Sequence, residues 1–124
     1  MIVGTEWLIE ATGCDAATLR NEAVVRDILG AVITDLGLKT VGEVWHKFDG
    51  EGGVTGMLAL TESHLTCHTY PEFGTATFNL YCCKGRPEWD WDAELKTRLA
   101  ARHVSVRKID RGNPEANDAR GAAR

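Results

Sequence analysis

Thr61-Glu-Ser-His-Leu-Thr-Cys-His-Thr-Tyr-Pro-Glu-Phe-Gly-Thr-Ala-Thr-Phe-Asn-Leu-Tyr-Cys-Cys83 holds two of the chain's four histidines and three of its four cysteines. Its last nine residues alternate. Ala76, Phe78, Leu80 and Cys82 form an apolar face, and Thr75, Thr77, Asn79, Tyr81 and Cys83 a polar one, the period of a half-buried strand. Just upstream, residues 54–61 alternate too. Val54, Leu58 and Leu60 take one face and Thr55, Met57, Ala59 and Thr61 the other. The two segments predict hairpin-like neighbouring strands, with residues 64–74 as their connection. Thr55 and Ser63 have the same parity and would share a face if that strand ran straight.

Working outward, residues 5–11 predict a first strand. Val25, Ile28, Leu29, Val32 and Leu36 recur at helical spacing, behind Asn21 as N-cap and ahead of Gly37 as helix stop. Residues 40–48 predict a second strand, residues 49–53 a flexible turn, residues 90–102 a second helix and residues 104–109 a last strand. The order β-α-β-β-β-α-β predicts an α+β two-layer sandwich, one antiparallel sheet with two helices on one face. Residues 1–112 form one domain in this reading. Residues 113–124, rich in Gly, Pro, Asn, Asp and Ala, are expected to be a disordered tail.

Bulk properties narrow the function. A chain of 124 residues fits one core, with little room for a deep pocket inside one protomer, so a site completed in a homodimer fits the size. A net charge of −4 argues against nucleic-acid and anionic membrane partners. No apolar run reaches the length of a bilayer span, and the N-terminus lacks a signal-peptide pattern, so a soluble cytoplasmic protein is expected. Cys14, Cys67, Cys82 and Cys83 lack zinc-ligand spacing. Vicinal Cys82 and Cys83 point to opposite faces of a strand, which disfavours a bridge between them. Reduced thiols and no metal site are expected.

Glu62-Ser63-His64, then His68-Thr69-Tyr70-Pro71-Glu72, then Cys83 resemble the self-cleaving core of the prokaryotic pyruvoyl-dependent S-adenosylmethionine decarboxylases. Weaker similarity runs through Gly13-Cys14-Asp15, His46-Lys47-Phe48, Gly53-Val54-Thr55-Gly56 and Arg111-Gly112. The resemblance implies a cut between Glu62 and Ser63, with Ser63 becoming a pyruvoyl cofactor. It implies His68 as the processing base, Thr55 as support for the ester intermediate, and Cys83 as proton donor to the decarboxylated carbon. Phe48 would stack on adenine, Glu72 would bind ribose, and Tyr70 and Glu62 would line the pocket. The product would be decarboxylated S-adenosylmethionine, the aminopropyl donor for spermidine.

Each residue also has a plain structural reading. Ser63 suits a turn, His68 an exposed turn, Thr55 a strand, Phe48 the core and Glu72 a solvated loop. Cys83 is marked twice, by the resemblance and by its polar-face parity. Departures from the family pattern are Asn79 where aspartate is usual, Lys84 in place of glycine, a turn at 49–53 one residue longer than usual, and Gly4-Thr5-Glu6-Trp7 where many members carry a basic residue and a histidine. The segment from Pro87 to Asp92 is also unusual. The alternatives are a same-cofactor decarboxylase of arginine or ornithine, and a non-catalytic homologue that binds a ligand or partner.

Overall fold

The computed structural model describes residues 1–83 and 85–115. Six antiparallel strands form one sheet in the order β2-β3-β4-β5-β1-β6. They are β1 Ile2–Thr12, β2 Thr40–Lys47, β3 Val54–Leu60, β4 Ser63–Tyr70, β5 Thr75–Cys82 and β6 His103–Gly112. Helices α1 (Ala16–Leu19), α2 (Glu22–Leu36) and α3 (Trp91–Arg98) cover one face. The two-layer α+β architecture is the expected one, with a one-turn helix added and with one strand more than expected.

That strand is β4, which replaces the expected connection across residues 64–74. Leu65, Cys67 and Thr69 point into the core, while His64, Thr66, His68 and Tyr70 face the other way. Only two apolar residues mark its inner face, so its period-2 pattern is faint. Hydrogen bonding to β3 on one side and β5 on the other makes it a central strand. The real connection between β4 and β5 is the short 3-10 turn Pro71–Phe73 followed by Gly74.

Helix α2 forms where its stripe predicts. The Asn21 side chain accepts from the backbone N–H of Ala23 at 3.0 Å and of Val24 at 3.4 Å. Gly37 stops the helix in the left-handed region at φ 64°, where glycine avoids a Cβ penalty. The five stripe residues are all buried. Helix α3 ends at Arg98, not at residue 102. Ala100 takes a positive φ of 54°, and the Arg102 N–H is captured by the Thr12 carbonyl at 2.9 Å. The chain must turn there so that β6 can pair with β1. Trp89 and Trp91, within the unusual 87–92 segment, are buried core. Trp91 packs on Phe78 with centroids 5.5 Å apart, and the Trp89 indole N–H donates to Asp35 at 2.8 Å.

Beyond β6, Asn113 exchanges backbone hydrogen bonds with Met1. The rest of the expected tail, residues 116–124, lies outside the described residues, as does Lys84. No helix among the described residues is long and apolar enough to cross a membrane.

Thr69 is a buried polar residue inside the core. Its hydroxyl accepts from the Val54 N–H at 2.8 Å and donates to the Leu19 carbonyl at 2.6 Å, joining β3, β4 and α1. Thr69→Val keeps the shape and strands both backbone groups. It is expected to cost about 1–3 kcal/mol, read as a lower urea midpoint; an unchanged midpoint would show that the two groups find other partners.

Candidate active site

The residues singled out in the sequence fall into two clusters. Phe48, Thr55, His68, Tyr70 and Glu72 line one open cleft of about 550 Å³, together with Gly52, Gly53 and Thr69. Glu62, Ser63 and Cys83 line a separate niche of about 50 Å³ with Leu38, Lys39, Thr61, Cys82 and Arg86. The two sit at opposite ends of β4. Five residues of extended strand separate Ser63 from His68 by roughly 17 Å.

In the larger cleft, Thr55 and His68 are cross-strand partners on β3 and β4. Thr55 Oγ1 and His68 Nδ1 share a hydrogen bond of 3.1 Å, whose direction follows the imidazole tautomer. The hydroxyl therefore orients the ring. Gly53 lets the two strands close beside them, since a Cβ there would lie 2.1 Å from the Thr69 carbonyl oxygen. Phe48 is exposed, not core, and its ring meets His46 edge-on at 4.5 Å. Tyr70 is partly exposed and Glu72 sits in the turn after β4. An aromatic ring, a carboxylate and an imidazole thus converge on one opening.

In the niche, the β3–β4 hairpin turns over Thr61 and Glu62. Ser63 pairs with Cys82 and lies on the helix-covered face, because Leu65, Cys67 and Thr69 continue its parity inward. Thr55 lies on the opposite face, so the expected shared face of Thr55 and Ser63 is corrected: the turn at 61–62 interrupts the straight strand that expectation needed. The Cys83 N–H donates to the Glu62 carbonyl at 3.3 Å, placing a backbone donor on the carbonyl that precedes Ser63. Cys82 is buried and Cys83 exposed, as parity indicated. Cys82 is nevertheless no bystander, for it is the cross-strand partner of Ser63 and lines the same niche. Burial raises the Cys82 thiol's pKa, and the Ser63 contact and Arg86 partly oppose that. Neither Cys82 nor Arg86 stood out as site residues in the sequence. The register that makes Cys82 face Ser63 becomes visible only once β4 is a strand.

The model of the S-adenosylmethionine decarboxylase family matches residues 5–112. The S-adenosylmethionine decarboxylase proenzyme of Acetivibrio thermocellus is 35% identical over 112 residues, covering 89% of each chain. That of Pelotomaculum thermopropionicum is 33% identical over 111 residues, covering 89% of this chain and 87% of the relative. The crystal structure of the adenosylmethionine decarboxylase from Aquifex aeolicus superposes with a TM-score of 0.76 at 26% identity, covering 94% of this chain and 98% of that one. The chain belongs to the S-adenosylmethionine decarboxylase family.

The thiols provide a check on the geometry. Cys83 is exposed, whereas burial raises the pKa of Cys67 and Cys82, leaving less of the reactive thiolate. A disulfide reagent applied to the folded chain near neutral pH is expected to label Cys83 first, and Cys67 only on unfolding. Peptide mass spectrometry showing Cys82 labelled as fast as Cys83 would overturn the faces assigned at the end of β5.

Proposed function

We propose that the chain is a self-processing, pyruvoyl-dependent decarboxylase that converts S-adenosylmethionine to its decarboxylated form and carbon dioxide, an aminopropyl donor for spermidine synthesis. The observation that carries this reading is the 3.3 Å hydrogen bond from the Cys83 N–H to the Glu62 carbonyl, directly before Ser63 in a tight hairpin turn. A donor aimed at that oxygen stabilises charge that develops there when the carbonyl is attacked.

Processing follows from these groups. Ser63 Oγ adds to the Glu62 carbonyl carbon, and the Glu62–Ser63 C–N bond breaks as an ester C–O bond forms. Removal of the Ser63 α-proton expels the Glu62 carboxylate and leaves dehydroalanine at position 63. Hydrolysis releases ammonia and converts that residue to the pyruvoyl group. Once formed, this ketone supplies the electron sink that loss of carbon dioxide from an amino acid requires. Ser63 suits it, since the residue sits at a strand end beside an open niche. The exposed Cys83 thiol is the proton source for the α-carbon. The exposed Phe48 ring and the Glu72 carboxylate suit adenine and ribose, groups that arginine and ornithine lack.

His68 is the proposed proton acceptor, yet it lies at the other end of β4. A second copy resolves the separation. The uncovered sheet face carries exposed Val44, Met57 and Ile109, apolar groups that suit a partner surface. In this reading a twofold-related copy completes the site, with Ser63 of one protomer served by His68 of the other across an isologous contact. Ser63→Ala and His68→Ala chains alone are then expected to stay uncut. Co-folded, they are expected to yield cleaved His68→Ala chains, because one of the two mixed sites is complete. A mixture with no cleavage at all would sink the shared site.

The cut chain has reason to stay together. Strands β1, β2 and β3 belong to residues 1–62 and β4, β5 and β6 to residues 63–124. In the order β2-β3-β4-β5-β1-β6 the two fragments meet at three seams. They are expected to co-elute on size exclusion and separate only in denaturant, the second with a blocked N-terminus. Ser63→Ala should run as one intact chain on a denaturing gel. Cleavage in that variant, or decarboxylation that needs added pyridoxal phosphate, would exclude the proposed chemistry.

A further inference from the structure

On the uncovered face, a polar chain crosses four neighbouring strands and ends beside the cleavage point. Arg111 on β6 donates to Glu6 Oε1 on β1 at 2.7 Å. Asn79 Nδ2 on β5 donates to Glu6 Oε2 at 2.6 Å. His64 on β4 meets Asn79 Oδ1 through Nε2 at 3.0 Å. A carboxylate only accepts, so the amide must turn its N–H2 to Glu6 and its oxygen to His64. The imidazole is then the donor, with its proton on Nε2. Tyr81 stacks on the His64 ring with centroids 5.7 Å apart, and the Arg111 guanidinium lies 6.0 Å from the Tyr81 ring centre. Gly4 makes room for this stack, since a Cβ there would lie 2.4 Å from the Tyr81 hydroxyl. The hydrogen bonds to Asn79 and Arg111 hold the Glu6 carboxyl below its usual pKa.

Glu6 and Asn79 are two of the departures from the family pattern, and here they are one contact. The acid stands on β1 and the amide on β5. The end of the chain, His64, is the residue joined to Ser63.

We propose that His64 is a positioning residue for the chemistry at residue 63, fixed in place by the Arg111–Glu6–Asn79–His64 chain. This rests on the proposed self-processing activity. Before the cut, residue 63 is held from both sides. Afterwards it is a chain terminus attached only through His64, and strand termini open readily. A side chain anchored on Asn79 and against Tyr81 keeps that terminus in register. It also joins the fragments, because Glu6 belongs to one while Asn79, His64 and Arg111 belong to the other.

The test exchanges the amide and the acid. Asn79→Asp sets two carboxylates in contact, which raises the pKa of one. Glu6, His64, Tyr81 and Arg111 are the groups that face it. At mildly acidic pH one carboxyl is protonated and donates as the amide did. As pH rises through the raised pKa, both ionise and the chain breaks. Turnover of Asn79→Asp is therefore expected to fall with rising pH, with kcat down on the order of tenfold or more at alkaline pH and KM little changed. Glu6→Gln with Asn79→Asp restores a donor–acceptor order and should regain the native pH profile. His64 is exposed, so His64→Leu should fold and show the same kcat loss, with His64→Gln recovering part of it. Native kcat in His64→Leu, or a double variant no better than Asn79→Asp, would overturn the proposal. An unaltered chain that never cleaves would instead overturn the self-processing reading.

Discussion

The two-residue turn at Thr61 and Glu62 is the constraint from which the site follows. It reverses the chain between β3 and β4, and the Thr61 N–H is tied to the Lys39 carbonyl at 3.0 Å. Because cross-strand partners share a face, Leu60 and Ser63 both point toward the helices. Residue parity is then set for the whole of β4. Ser63 faces Cys82, His68 faces Thr55, and the two clusters of candidate residues are sent to opposite ends and opposite faces. A one-residue shift of this turn would reverse every assignment on the strand.

Packing and function share that strand. Leu65 and Cys67 are fully buried beneath the helices, and Thr69 ties the strand to α1 through its hydroxyl. The opposite face carries His64 and His68, each with a named hydrogen-bond partner. A central strand gains ladder hydrogen bonds on both sides, so its backbone is rigid without a long apolar run. That rigidity suits residues whose positions matter to better than an ångström.

The two sheet faces are unequal. Helices α2 and α3 bury the inner face, while the outer face keeps Val44 and Met57 in the open beside polar groups. Among the described residues no helix covers it. The proposed second copy would cover that face with the same sequence.

The sequence by itself determined the layer architecture, the long helix with its Asn21 and Gly37 ends, and the inward and outward faces of β3 and β5. These depend on periods of 3.6 and 2 and on local capping, all short-range properties of the chain. It also marked Glu62, Ser63, His68 and Cys83, through their resemblance to a family. Strand β4 was hidden because His64, Thr66 and His68 occupy its outer face and leave only Leu65 and Cys67 as an apolar signal. Only the tertiary structure decided register. It brought Cys82 to Ser63, the Cys83 N–H to the Glu62 carbonyl, and Glu6 to Asn79 across 73 residues of chain. It also separated Ser63 from His68, which five residues of sequence make look adjacent. Cross-strand pairing depends on where a turn falls, and no local pattern encodes which residue will lie opposite another.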